Sequence, residues 1–99
     1  MLNGKPKFSL GRLLCTPQAL AVLEEAGQTP IDFISRHMRG DWGDVCEEDK
    51  QLNDQSLVDG SRLLSSYKTS TGVKLWLITE AQDDNGHRAA TTCLLPEEY

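Results

Sequence analysis

The sequence has no long run of apolar residues. A helix that crosses a bilayer needs about 18 or more consecutive apolar residues, and no stretch of this 99-residue chain approaches that length. Near the N-terminus, Gly11 and Arg12 interrupt the apolar region that a secretory signal would need. These absences predict a soluble, cytoplasmic protein that does not bind membranes.

Cysteine is also scarce. The three cysteines are scattered and odd in number, Cys15, Cys46 and Cys93, and none has a second cysteine or a histidine at the spacing of a zinc site. The acids after Asp41 lack the spacing of a calcium-binding loop. We therefore expect small buried thiols in a reducing compartment, and no disulfide framework, metal ion or other cofactor.

Positive charge is in short supply. The chain has 10 Lys and Arg against 15 Asp and Glu, which gives a formal net charge of -5. General affinity for nucleic acid comes from many cations that neutralise phosphates, so we expect no direct binding to nucleic acid. A basic surface on another protein is the partner that this charge favours.

Three helices are predicted in the first 60 residues. Two of them share one signature, in which a threonine cap candidate precedes a proline and a glycine follows the helix: Thr16, Pro17 and Gly27, then Thr29, Pro30 and Gly40. A third helix is predicted from about Cys46 to Val58, with Asp44 as its cap candidate.

After Gly60 the pattern alternates with the period of a strand. The stretches "RLLSSYK", "VKLWLITEA" and "RAATTCLL" predict three strands, joined by turns at "TSTG" and "DDNG". Residues 7–14 are either a short edge strand or an extended lead-in. The pattern predicts an α+β fold with two or three N-terminal helices packed on a three- to four-stranded antiparallel meander sheet.

The length predicts one domain over residues 1–99. Within it we expect a flexible N-terminus at 1–6, a helical part at 16–58 and an antiparallel sheet at 61–95. The first or last strand could pair with a second copy, so the sequence leaves the oligomeric state open.

Four stretches carry a resemblance to a known family: "RGDWGD", "GSRLLSSY", "LWLITEA" and "TTCLLPEEY". They resemble a family of small bacterial proteins carried on plasmids and integrative mobile elements, some of which are labelled restriction-modification components. A methyltransferase or specificity subunit is several times longer than this chain. The resemblance therefore implies an origin on mobile DNA and no particular reaction.

Negative charge is concentrated in residues 41–59. This segment holds seven acids and one lysine, whereas the rest of the chain holds eight acids and nine bases. The segment is either a solvated face or a surface that docks on a basic groove. The candidate partner-binding residues are Asp41, Trp42, Asp44, Glu47, Glu48 and Asp49. Trp42 is either the anchor of that surface or a core residue where two helices meet.

An enzymatic alternative is a barnase-like or RelE-like ribonuclease that acts as a toxin. Arg62, Glu80 and His87 would then supply a phosphate-binding cation, a carboxylate and a general acid or base. His37 lies between two arginines near the predicted end of the second helix, where a lone histidine is typically a surface or capping residue.

The leading hypothesis is a small acidic, non-catalytic interaction protein of mobile-element origin. Its most concrete form is an anti-defence inhibitor that occupies the nucleic-acid-binding groove of a restriction or CRISPR nuclease.

Overall fold

The fold is α+β, as the sequence predicts. The computed structural model describes residues 6–99, so most of the flexible segment predicted at 1–6 lies outside the described residues. The elements are, in chain order, β1 (Arg12–Cys15), α1 (Pro17–Glu25), α2 (Pro30–Met38), α3 (Glu47–Asp59), β2 (Leu63–Lys68), β3 (Lys74–Thr79), β4 (Ala90–Leu94) and a 3₁₀ turn at Pro96–Glu98.

The first two helices begin at the predicted threonines. The Thr16 hydroxyl accepts a hydrogen bond from the Ala19 amide at 3.1 Å. At the second helix, the Thr29 amide donates to the Asp32 carboxylate at 2.9 Å. In both cases a side chain satisfies a backbone group that the first helical turn leaves free.

The sheet is mixed, so the prediction of a purely antiparallel sheet was wrong for one strand. Its strand order is β1-β4-β3-β2. The meander β2-β3-β4 is antiparallel as predicted, but β1 pairs parallel to β4 with Arg12 opposite Ala90. Three helices and two strands separate β1 from β4, and a connection that long permits parallel pairing where a short hairpin would not. The sheet therefore also reaches beyond the predicted range 61–95.

The third helix begins one residue later than predicted and has a different cap. It spans Glu47–Asp59 and its N-cap is Cys46, without a side-chain cap hydrogen bond. Asp44, the predicted cap, lies two residues before Cys46, and its amide donates to the Ser66 carbonyl at 2.6 Å. Asp44 lies in a turn beside β2, and the helix begins three residues later, at Glu47.

The main core lies between one face of the sheet and the helices α1 and α2. Fully buried Leu75, Leu77 and Cys93 on the sheet face Leu23 and Phe33 on these helices. The alternation predicted for β3 is seen in its first half, where Lys74 is exposed and Trp76 only half-buried, whereas Ile78 is buried as well. In the part of the chain that the structure describes, no helix has the length and apolar content needed to cross a membrane.

Candidate functional site

The segment "GDWGD" closes the outer edge of β2. The Ser66 amide donates to the Trp42 carbonyl at 3.1 Å, and the Asp44 amide donates to the Ser66 carbonyl at 2.6 Å, so Gly43 and Ser66 form a parallel bridge. An edge strand with open hydrogen-bonding groups is a template for unwanted pairing. The segment thus protects one edge of the sheet from pairing with another strand.

Asn53 of α3 covers the next position on the same edge. Its side-chain amide donates to the Leu64 carbonyl at 2.7 Å, and its side-chain oxygen accepts from the Leu64 amide at 3.1 Å. The side chain therefore reproduces the two bonds of a neighbouring strand. This contact also fixes α3 against β2.

Gly43 is required by both conformation and space. Its φ is +76°, in the left-handed region that favours glycine. A Cβ atom at this position would lie 2.6 Å from Cδ1 of Tyr67 and closer still to the Ser66 carbonyl oxygen. The close approach of the two backbones is possible only because residue 43 has no side chain.

Trp42 lies in the interior rather than on the surface. Only 4% of the residue is exposed, and its indole contacts Phe8 and His37 at ring-centroid distances of 6.1 and 5.7 Å. Its Nε1 donates to the Asp54 carboxylate at 3.0 Å. The indole therefore offers a partner almost no area, and it joins the GDWGD segment to α3.

Asp41 is committed to contacts within the protein. Its carboxylate forms an ion pair with Arg36 at 2.7 Å and accepts from the Gly43 amide at 3.2 Å. Its carbonyl accepts from the Tyr67 hydroxyl at 2.5 Å. The hydrogen bonds and charge of Arg36 hold the pKa of the Asp41 carboxyl below its usual range.

Four acids remain exposed at the start of α3 and just before it: Asp44, Glu47, Glu48 and Asp49. None of them forms an ion pair with a residue of the described chain, and neither does Lys50. Three of the four lie in the first turn of the helix, where the helix dipole favours negative charge. This group, which we call the acidic surface, is the part of the predicted binding set that the structure leaves free.

Further along α3, the exposed side chains are apolar or carry amides. Leu52 is 58% exposed and Val58 is 89% exposed, and Gln51 and Gln55 lie on the same exposed side. A charged end followed by exposed apolar groups is a common composition for a protein-binding surface. Single exposed leucines are frequent on any protein, so the acidic surface is the stronger feature.

The three residues proposed for a ribonuclease site do not form one catalytic group in the structure. In the described chain, no hydrogen bond or ion pair links the side chains of Arg62, Glu80 and His87, all three of which are exposed. Arg62 instead lies over the Tyr99 ring at 5.4 Å and donates to its hydroxyl. An RNA-cleaving site needs its acid, base and cation within reach of one phosphate.

His37 is the centre of a buried polar network that the sequence did not reveal. The residue is fully buried, although we expected a surface or capping histidine. Its Nδ1 is 2.5 Å from the Ser65 hydroxyl and its Nε2 is 2.8 Å from the Thr79 hydroxyl. The Thr79 hydroxyl is in turn 2.7 Å from that of Thr91, and Thr91 donates to the Leu10 carbonyl at 2.7 Å.

The last acceptor in this network fixes the direction of the bonds from Leu10 back to Nε2 of His37. A carbonyl only accepts, so Thr91 donates to Leu10 and must accept from Thr79. Thr79 then accepts from Nε2 of His37, so Nε2 carries a proton. Burial lowers the pKa of His37 to about 3, which keeps the ring neutral at pH 7, so Nδ1 carries no proton and accepts from Ser65. The network has a serine beside a histidine, yet Ser65 is fully buried, so no substrate can reach it in this structure.

The burial of His37 predicts a specific loss of stability in acid. Desolvation, with a smaller contribution from the charge of Arg88, lowers the pKa of His37 to about 3. The unfolded chain, whose histidine titrates near 6.5, then binds more protons than the folded protein between those two pH values. The contribution of neutral His37 to the free energy of unfolding is fully present above about pH 6.5. Each pH unit below that value should lower the free energy of unfolding by up to about 1.4 kcal/mol.

The measurement is urea unfolding at pH 7, 6 and 5, compared with His37→Gln. Glutamine keeps a donor and an acceptor but does not titrate. The free energy of unfolding of the His37→Gln variant should therefore change less between pH 7 and pH 5 than that of the wild type. Parallel pH profiles for the two proteins would contradict the assignment of the acid sensitivity to His37.

Arg88 is a second buried polar group that was missed. Its guanidinium donates to three backbone carbonyls, those of Ser61 at 2.7 Å, Glu80 at 3.0 Å and Ser56 at 3.1 Å. Burial lowers its pKa from the ordinary arginine value. The side chain ties the end of α3 to the β3–β4 hairpin. No sequence pattern could indicate this, because the acceptors are all backbone atoms.

The described residues offer no evident ligand set for a metal ion. Among residues 6–99, no three His, Cys, Asp or Glu side chains are grouped so that they could hold one. Cys15 and Cys93 are directly opposite in the β1–β4 register and are both free thiols. Burial raises the pKa of both, which makes them poor nucleophiles.

Comparison with family models, with curated proteins and with solved structures finds no match for this chain.

Proposed function

We propose that the protein is a small acidic interaction protein, without catalytic activity of its own, that binds a basic surface of another protein. The contact is made by the acidic surface Asp44, Glu47, Glu48 and Asp49. The exposed side of α3, with Leu52 and Val58, extends it. Trp42 is left out of the contact because it is buried, and Asp41 because its carboxylate is already paired with Arg36.

The observation that carries this proposal is the exposure of four neighbouring carboxylates without an ion-pair partner in the described chain. Like charges this close repel one another, and their mutual repulsion is relieved when a cationic surface covers them. The other acid at the start of the segment, Asp41, shows the contrasting arrangement, because Arg36 neutralises it within the protein.

The acidic surface is also held on a rigid support. Asn53 fixes α3 to β2, and Asp54 accepts from the buried indole of Trp42. A surface whose position is fixed before binding loses less conformational entropy when it docks. The arrangement therefore favours recognition of one basic surface over loose attraction to any cation.

For the partner, we propose the nucleic-acid-binding groove of a defence nuclease of the restriction or CRISPR type. Such a groove is lined with cations that contact phosphates, and a row of carboxylates on a rigid helix can occupy the same positions. The choice of a defence nuclease rests on the resemblance to proteins carried on mobile elements. We do not favour the ribonuclease alternative, because its three side chains are not in contact and Arg62 is held by Tyr99.

The test is inhibition of DNA cleavage by purified restriction and CRISPR nucleases, titrated with the wild-type protein and with a variant carrying Asp44→Asn, Glu47→Gln, Glu48→Gln and Asp49→Asn. Loss of four charges from the contact should weaken inhibition by about tenfold or more. Inhibition by the wild type should also weaken as salt is raised, because salt screens exposed charges.

The matched control removes four exposed carboxylates elsewhere, through Glu24→Gln, Glu25→Gln, Asp84→Asn and Glu97→Gln. It has the same net charge as the first variant and should inhibit like the wild type. Equal inhibition by the two variants would overturn the role of the acidic surface. No inhibition of either class of nuclease by the wild type would overturn the anti-defence form of the proposal.

A further inference from the structure

The two outer edges of the sheet differ. The edge at β2 is closed by the GDWGD segment and Asn53, whereas the edge at β1 has no neighbouring strand among residues 6–99. Arg12 and Thr16 donate their amides toward β4, to Ala89 at 3.0 Å and Cys93 at 3.0 Å. Because backbone groups alternate in direction along a strand, the amide and carbonyl of Leu13 and of Cys15 point away from the sheet. No described residue hydrogen-bonds to these outward groups.

The open edge is complementary to itself. Leu13 and Cys15 are placed symmetrically about Leu14, so an antiparallel copy of β1 centred on Leu14 puts Leu13 opposite Cys15 of the second copy, and the reverse. Each of these two pairs can exchange two backbone hydrogen bonds. We propose that the protein forms a homodimer in which β1 pairs antiparallel with β1 of a second copy, joining two four-stranded sheets into one.

The side chains at this edge fit the same register. Leu14 is 41% exposed and Leu13 is 50% exposed, although both are large apolar residues. At the centre of the pair, Leu14 meets Leu14 of the second copy and the two cover each other. On the other face, Leu13 of the second copy lies beside Cys15, which borders an apolar groove of about 300 Å³ lined also by Pro30, Ile31 and Ile34.

Charge favours the second copy as the occupant. The register places Arg12 opposite Thr16 of the second copy, and the Thr16 hydroxyl donates to the Glu98 carboxylate at 2.8 Å. The cation at one end of each strand is thus directed toward a carboxylate of the other copy. The acidic surface lies at the opposite edge of the sheet, beside β2, so the dimer leaves both copies of it exposed. The dimer does not depend on the proposed function.

The first experiment measures mass by light scattering over a concentration series for the wild type, Leu14→Glu and Leu20→Glu. The wild type should reach twice the monomer mass. Leu14→Glu puts two like charges at the centre of the strand pair, so it should stay monomeric at concentrations where the wild type is dimeric. Leu20→Glu makes the same change at an exposed leucine on α1 and should dimerise normally. A wild type that stays monomeric, or a Leu14→Glu protein that still dimerises, would overturn the proposal.

A second variant tests the backbone pairing itself. Leu13→Pro removes an outward amide and leaves the bonds to β4 in place, which an edge strand tolerates. It should weaken the dimer by about tenfold or more, since each dimer loses two hydrogen bonds, while its monomer unfolds like that of the wild type. Hydrogen exchange of the Leu13 and Cys15 amides should slow as the wild-type concentration rises. Unchanged dimerisation of a folded Leu13→Pro protein would show that the copies meet elsewhere.

Discussion

Replacing His37 with alanine should destabilise the protein by about 3 to 5 kcal/mol. The substitution leaves the buried Ser65 hydroxyl without its acceptor and takes one of the two partners of Thr79. It also removes the ring that Phe8 and Trp42 contact edge-on, at 5.1 and 5.7 Å. A domain of this size has a free energy of unfolding of about 5 to 15 kcal/mol, so the loss is a large fraction of the whole. The measurement is urea unfolding at pH 7.

The control for this substitution is Arg39→Ala. Arg39 is an exposed residue two positions further along, just beyond the end of α2, and its replacement should change the free energy of unfolding by less than about 0.5 kcal/mol. If His37→Ala costs no more than Arg39→Ala, the hydrogen bonds assigned to His37 do not contribute to stability.

Replacing Gly43 with alanine should cost about 3 kcal/mol or more, which is far above the usual effect of adding one methyl group. Part of the loss is strain, because φ is +76° at this position and an L side chain there costs about 1 to 2 kcal/mol. The rest arises because the new Cβ would overlap the Ser66 carbonyl and the Tyr67 ring. The GDWGD segment must then move away from β2, which weakens its hydrogen bonds to Ser66.

Gly72→Ala separates these two contributions. Gly72 has a φ of +86°, but a Cβ there would meet nothing within 4 Å. This control therefore carries the strain alone and should cost about 1 kcal/mol. Equal losses for the two alanine variants, measured by thermal and urea unfolding, would mean that the GDWGD segment does not close the edge of β2 as the structure has it.

The features that follow from short stretches of sequence were predicted correctly. The threonine and proline pairs mark the starts of α1 and α2, since a cap involves only residues within one helical turn. The alternation in "RLLSSYK" and "VKLWLITEA" indicates β2 and β3, and "DDNG" indicates the turn before β4. Each of these signals acts over fewer than ten residues, where sequence spacing and spatial proximity are nearly the same.

The pairing of β1 could not be predicted from such signals. β1 has four residues, and its partner β4 lies near the other end of the chain. Nothing in "RLLC" specifies a parallel neighbour, and its direction is decided by where the three helices and the meander place it. The cap of α3 was predicted wrongly for a related reason. Asp44 is a favourable cap by residue type, but hydrogen bonds to Ser66, which is distant in sequence, hold this stretch beside β2, and the helix begins only after Cys46.

The candidate site was predicted in part. The exposed acids at the start of α3 were recognised from composition alone, whereas the burial of Trp42 depends on contacts with Phe8, His37 and Asp54. His37 did carry a usable signal, because it lies four residues after the buried Phe33 and shares its face of α2. Ser65, Thr79 and Thr91 occupy inward positions of three strands, and buried hydroxyls need partners. Together these positions point to a polar group in the core.

The position of β1 has a consequence for the order in which the molecule assembles. Synthesis runs from the N-terminus, so β1 is made before any other described element, whereas β4, the described strand with which it pairs, is the last strand to be made. Until then β1 can form none of its pairing bonds, whereas α1 to α3 need few distant residues to form. Contacts that close so long a segment of chain are slow to form and come late in folding. We therefore expect β1 to be the last strand added to the native sheet.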